Sequence, residues 1–322
     1  MSGTGYAAAV DLGGTKILTL LLDGADRVVA EDLRETEAGL GPAAVMARIQ
    51  DSIRVCLAQA GVGPEDLEGI GVAVPGPVDL DRGVLTNPPN LPGWVDVPVR
   101  DLIQEAFGAP AVVEHDASAA AVGEYLFGAG RGTRHMIYLT VSTGVGGGFI
   151  LDGKLYRGAD GAAGEVGHMV LEPDGPLCGC GGRGHVEALI SGTAIARDGE
   201  TLVAHGRAPV LARLAEEQGE LTARTVHAAA EAGDAEAAAL LDRVAWYLGL
   251  TLISLTNIFN PEAIVIGGGV SRIGPRLLDP AVRAVRAGAF PLPAATVRIR
   301  PAELGGRSGA LGVAALVRQR LD

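Results

Sequence analysis

The sequence has few cysteines, few aromatic residues and no run of basic residues. Three cysteines, Cys56, Cys178 and Cys180, occur in 322 residues. Three thiols cannot make a disulfide framework, so the chain is expected in a reducing compartment. Lys and Arg number 26 against 38 Asp and Glu, a formal net charge of −12. A chain this acidic is a poor partner for nucleic acid. No basic segment followed by an apolar core opens it, which speaks against a signal peptide. The longest apolar stretch, Val244 to Phe259, is interrupted by Thr251, Ser254, Thr256 and Asn257 and preceded by Asp242 and Arg243. It reads as a buried helix and not as a membrane span. Together these absences predict a cytoplasmic protein with no nucleic-acid or membrane partner.

Glycine, by contrast, is abundant, with 48 residues and no collagen-like period. Much of it belongs in turns and in loops where backbone must approach something closely. Apolar residues make up 48% and charged residues 20%, a globular composition. The length suits two domains, or one domain of two lobes.

The pattern is α/β. Tyr6–Val10, Ile17–Leu22 and Arg27–Glu31 read as strands, the first two joined by Asp11-Leu12-Gly13-Gly14-Thr15-Lys16. Pro42 opens a helix in which Val45, Ile49, Ile53 and Cys56 recur at helical spacing, and Gly61 ends it. A strand over Ile70–Val74 and a Pro/Asn-rich loop over 83–98 follow. Ala111–Glu114 is then a strand and Ala117–Phe127 a helix. The second half repeats the theme. Met136–Val141 is a strand, Ser142–Gly148 a glycine turn and Phe149–Leu151 the returning strand. Residues 155–187 look irregular. Helices are predicted near 186–197, 209–218, 224–231, 235–258 and 308–320, with strands at Ala263–Ile266 and Val297–Arg300. Cys56 is expected in the core, and Trp94 and Trp246 are expected to be packing residues.

Three glycine clusters suit phosphate or nucleotide binding, because backbone without Cβ atoms can approach phosphate oxygens. They are Asp11–Lys16, Thr140–Gly148 and Gly267-Gly268-Gly269. None has Walker A spacing. Asp116, between a strand and a helix, fits either a general base or a helix N-cap. His168, Cys178, Cys180 and His185 have types and spacing compatible with tetrahedral zinc, or with a metal-free loop.

Taken together, these motifs make the chain resemble the ROK family of repressors, open reading frames and sugar kinases, within the actin-like ATPase superfamily. The likeness runs from about Tyr6 to Leu316. It rests on the 11–16 loop, Pro75-Gly76-Pro77-Val78-Asp79, Asn90-Leu91-Pro92-Gly93-Trp94, Asp116-Ala117, Thr143–Gly148, Glu165-Val166-Gly167-His168, the 178–187 cysteine box and Asn260-Pro261-Glu262 before the triple glycine. The resemblance implies two actin-like (ribonuclease H-like) lobes, each a mixed sheet with flanking helices, with a cleft between them. The expected small lobe is 1–125, with helix 308–322 packing back on it, and the large lobe is 126–307 with the zinc loop.

The kinase branch is favoured over the repressor branch, whose members carry a helix-turn-helix ahead of the first phosphate loop; ten residues precede Asp11 here. The resemblance then implies transfer of phosphate from ATP to the 6-hydroxyl of a hexose, glucose first. The alternatives are fructose, N-acetylmannosamine or N-acetylglucosamine, a non-catalytic sugar sensor, and polyphosphate as donor. Asp116 takes the role of base. Gly76, Asn90, His115, Glu165, His168 and Glu187 join it around the sugar. Asp11, Gly13, Gly14, Thr15, Lys16, Thr143, Gly144 and Gly268 serve the nucleotide and Mg²⁺, and His168, Cys178, Cys180 and His185 hold a structural zinc ion. A homo-oligomer, dimer or tetramer, is expected. Two positions depart from the family pattern: His115 stands where similar glucokinases have Asn, and His185 where a third Cys is usual.

Overall fold

The computed structural model describes residues 5–88 and 90–321, the side chains of 319–321 excepted; Asp322 at the end of the predicted last helix lies outside them. Two compact units emerge. One comprises 1–132, 148–164 and 303–322, the other 133–147 and 165–302. Gly148–Gly164 thus goes with the first unit, whereas the sequence boundary near 125 assigned it to the second lobe.

In the first unit the strands are β1 (Tyr6–Leu12), β2 (Lys16–Leu22), β3 (Val28–Glu35), β4 (Leu67–Val74), a short hairpin of β5 (Val78–Asp79) and β6 (Val84–Leu85), and β7 (Ala111–His115). Its helices are α1 (Pro42–Ala60), α2 (Val99–Phe107) and α3 (Asp116–Phe127). The sheet order is β3-β2-β1-β4-β7. β1, β2 and β3 pair antiparallel, while β1, β4 and β7 run parallel. Both faces of this sheet are covered, which is why its central strands are apolar almost throughout. Ala8, Val10, Leu12 and Ile17 pack with Val45, Ile49, Ile53 and Cys56 of α1. Ala9, Leu18 and Leu20 point the opposite way and meet Ala119, Ala310, Val313 and Ala314. α1 begins with Pro42 at its first turn and ends at Gly61, whose φ of 69° caps it, as proline and glycine favour.

The remaining strands are β8 (Met136–Val141), β9 (Val145–Leu151), β10 (Lys154–Tyr156), β11 (Ala263–Gly267) and β12 (Arg298–Pro301). Their order, β10-β9-β8-β11-β12, repeats the first sheet's plan: β9 and β10 pair antiparallel, and β11 runs parallel to β8 and β12. The helices are α4 (Val186–Ile190), α5 (Gly192–Ala204), α6 (Pro209–Gln218), α7 (Ala223–Glu231), α8 (Ala235–Phe259), α9 (Pro275–Gly288), α10 (Pro291–Thr296) and α11 (Ser308–Leu321).

Several expectations change here. The helix read over 186–197 is two, because Ser191 ends α4 and its hydroxyl accepts a hydrogen bond from the Ala194 N–H at 3.1 Å to start α5. Gly146, Gly147 and Gly148 lie within β9, so the glycine turn is confined to 142–144. Trp94 and Cys56 are fully buried, but Trp246 is 55% exposed and stacks edge-on with Tyr247. α8 is long and apolar enough to cross a membrane by composition, yet 56% of its most apolar window is buried within the fold. α11 lies on α3 with glycine at the crossing: a Cβ on Gly312 would collide with the Ala119 carbonyl, and one on Gly123 with the Ser308 carbonyl. Buried Glu124 fastens this crossing, accepting from the N–H groups of Ala129, Glu303 and Leu304 and from the Ser308 hydroxyl, at 2.9 to 3.1 Å.

Candidate active site

In the first unit the predicted residues cluster around the ends of β1, β4 and β7. Asp11 sits near the end of β1, just ahead of the hairpin turn. The Gly13 N–H donates to the Lys16 carbonyl at 2.9 Å, and Thr36 donates its hydroxyl to the Gly13 carbonyl at 2.7 Å. The turn thus uses Gly13 for its own closure. Gly14 lies against Asn90, where a Cβ would stand 2.9 Å from the Asn90 Cβ. Asn90 is carried by a loop closed by the Asn87 N–H on the Trp94 carbonyl and anchored by buried Leu91 and Trp94. Thr15 and Lys16 are exposed.

His115 ends β7 and Asp116 opens α3 without an intervening residue. Asp116 is therefore the first helical residue and His115 the N-cap; the N-cap role weighed for Asp116 falls one residue earlier. One Asp116 oxygen accepts from the Ala117 N–H at 2.6 Å, and the side chain stays 44% exposed. His115 Nδ1 faces Asp116 Oδ1 at 3.5 Å. Gly76 lies under the imidazole, where a Cβ would come within 2.9 Å of the ring. Burial pushes the Asp11 carboxyl up to about 7, and the negative charge of Asp116 adds to the shift. A buried carboxyl beside a second carboxylate makes a place that a divalent cation would relieve. Gly309 leaves the room that Asp11 needs, since a Cβ there would stand 2.6 Å from its Oδ2.

In the second unit, the loop Thr143–Gly144 is braced from below. The Gly192 N–H donates to the Ser142 carbonyl at 2.7 Å and the Thr193 hydroxyl to the Thr143 carbonyl at 2.5 Å. Glu187, in the first turn of α4, accepts the Val145 N–H at 3.0 Å. Its other oxygen faces the Cys178 thiol at 3.6 Å. Glu187 therefore links the end of the Thr143–Gly144 loop to the cysteine box, a link that its place in the motif did not reveal. Gly268, with φ of 87°, lies against the backbone of Val141, where no Cβ fits.

The predicted zinc ligands do come together. The ligand atoms of His168, Cys178, Cys180 and His185 all lie within 4.8 Å of one another. Cys178 Sγ is 3.9 Å from His168 Nδ1, and Cys180 Sγ is 3.2 Å from His185 Nδ1. A zinc tetrahedron with these donors has edges of about 3.3 to 3.8 Å, so the residues fit the ion with small movements. Burial pushes the Cys178 thiol up to about 11, opposed by the Cys180 N–H and helped by the Cys180 thiol and Glu187; a bound cation would reverse this by taking the thiolate. The other ring nitrogen of His168, Nε2, faces Glu165 Oε2 at 3.8 Å.

Sequence reasoning missed Glu114. It accepts the His115 N–H and pairs with Arg157. A lone Glu ahead of a His-Asp pair carries no mark of burial.

The sequence matches the ROK family over residues 7–320. It is 38% identical to a glucokinase of Halalkalibacterium halodurans, over 98% of this chain and 96% of that one. The fold matches the ROK hexokinase of Thermus thermophilus with a TM-score of 0.81 at 36% identity, covering 98% and 99% of the two chains. It also matches a ROK family glucokinase of Streptomyces griseus in complex with glucose and AMPPNP, with a TM-score of 0.80 at 36% identity, covering 98% and 100%. The chain belongs to the ROK family.

Proposed function

We propose that this protein is an ATP-dependent glucokinase that forms glucose 6-phosphate and ADP. The observation that carries the reading is Asp116, an accessible carboxylate at the start of α3 beside His115, in a chain alike over its full length to a glucokinase bound to glucose and AMPPNP. Asp116 accepts the proton of the 6-hydroxyl as that oxygen attacks the γ-phosphorus. Gly76, Asn90, His115, Glu165, His168 and Glu187 are the residues we assign to the remaining hydroxyls. Vicinal hydroxyls suit carboxylates, and a site so built rejects sugars that leave those groups unpaired. Gly14, Thr15 and Lys16, with Thr143, Gly144 and Gly268, take the nucleotide.

Mg²⁺ neutralises charge on the phosphates when bound, and Asp11 is the residue to hold its water shell. Zinc would be held by His168, Cys178, Cys180 and His185, with a structural role. Fixing Nδ1 of His168 leaves Nε2 to face Glu165 and the sugar. We place the protein in the cytoplasm, as a homo-oligomer without nucleic-acid or membrane partners. A second reading, phosphorylation of another hexose, is favoured by one observation: His115 stands beside Asp116 and is bulkier than the amide expected there. ADP release measured across glucose, fructose, mannose, N-acetylmannosamine and N-acetylglucosamine, with ATP and Mg²⁺, decides between them. A greater kcat/KM for a sugar other than glucose would replace the first reading with the second.

A further inference from the structure

We infer that Glu114 is a positioning residue for phosphoryl transfer, acting through the backbone of His115 and held by Arg157; the inference rests on Asp116 being the base of a hexose kinase. The Glu114 side chain is 1% exposed. Its Oε1 accepts the His115 N–H at 3.0 Å. Its Oε2 receives both Nε and Nη2 of Arg157 at 2.8 and 2.7 Å, the guanidinium fork closing on one charged oxygen and leaving Oε1 to the backbone.

The corner between β7 and α3 has no loop residue to absorb movement. His115 has φ −62° and ψ 137°, and Asp116 is already helical. A small rotation about His115 would swing both the imidazole and the carboxylate of the base. The register of β7 on β4 sets Glu114 opposite Ala73 and His115 opposite Val74, which fixes the strand up to this point. At this last pair, Glu114 also holds the His115 N–H from the side. Arg157 is itself anchored. It follows β10, and its carbonyl accepts the Ala163 N–H at 3.1 Å, closing a loop through Gly158 and Gly161 at φ of 74° and 87°. Gly161 rests on Leu80, where a Cβ would come within 2.9 Å of the side chain.

An apolar pair of like volume would stabilise this place as well as a buried ion pair does, or better. What the charged pair adds is a set direction for the corner. Misplacing a base by about 1 Å costs on the order of a hundredfold in rate, so the effect belongs in kcat.

The test uses the full-length protein, with Arg157→Lys and the double variant Glu114→Gln/Arg157→Met. Arg157→Lys keeps the charge and loses the fork. The double variant leaves no buried unpaired charge. Steady-state kcat, KM for glucose, KM for ATP and Tm are measured for each. Both variants should lose roughly tenfold or more in kcat, with KM for ATP within about twofold of the parent and Tm within a few degrees. A role in stability alone would lower Tm and leave kcat per folded molecule unchanged, and that result overturns the inference. If the double variant does not fold, Arg157→Lys decides alone. A parent protein that phosphorylates no sugar would defeat the kinase reading and this inference with it. An active parent with kcat unaltered in the variants defeats the inference only.

Discussion

The imidazole Nδ1 of His115 lies 3.5 Å from Oδ1 of Asp116. An imidazole and a carboxamide each offer a sugar hydroxyl a donor and an acceptor, but the ring is bulkier. His115→Asn should therefore keep or improve glucose binding, whereas His115→Ala, which offers neither group, should raise KM for glucose several-fold. An unchanged KM for glucose in His115→Ala would remove His115 from the set of sugar contacts.

Asp116→Asn should lower kcat by roughly 10²–10⁴ while glucose still binds, because an amide cannot accept the hydroxyl proton. Turnover near the parent value would take the role of base away from Asp116.

Gly76→Ala should raise KM for the hexose several-fold and leave KM for ATP unchanged. The new methyl would stand within 2.9 Å of the His115 ring, and a side chain can move where backbone cannot. Comparing Gly76→Ala in the parent and in His115→Asn checks the cause: the effect should shrink when the ring is absent.

The purified protein should carry about one zinc ion per chain, from the four converging donors. Cys178→Ala and Cys180→Ala should lower both Tm and hexose affinity. Elemental analysis finding no zinc in protein prepared without chelator would count against the site.

Asp11 makes stability depend on pH in a defined direction. Its carboxyl holds a proton up to about 7 in the folded protein, against 3.8 for an ordinary carboxyl. Between those values the folded state binds more protons than the unfolded one, so this group's contribution to stability falls as pH rises. The Tm of the ligand-free, Mg²⁺-free protein should show that fall in the parent and a flatter profile in Asp11→Asn. Matching slopes would show that Asp11 is ionised throughout.

The hairpins and their glycine turns were legible because strand alternation and glycine punctuation are local signals. The gathering of His168, Cys178, Cys180 and His185 was legible from residue type and spacing. α9 and α10 were not. Pro280 lies inside α9, and Pro291 and Pro293 open α10, so the usual helix-breaking sign concealed two helices. Gly148 belongs to a strand despite its low propensity because Ala121 and the Ala117 carbonyl approach to where a Cβ would be. Trp246 was misread because α8 is apolar on several sides, and periodicity then cannot tell which face is left outside. Glu114 and Glu124 were invisible as buried acids, since their partners Arg157 and the 303–308 segment are remote in sequence.

The seating of α11 on α3 also bears on synthesis. Ser308 is 184 residues downstream of Glu124, the acid that its hydroxyl meets. At about 5–20 residues per second, translation separates the two by roughly 10–40 seconds. During that interval the nascent first sheet exposes the apolar face formed by Ala9, Leu18 and Leu20, which Ala310, Val313 and Ala314 will later cover. β1 and β2 thus wait for a helix made long after them, and an mRNA cut short before codon 308 would yield a polypeptide with that face bare.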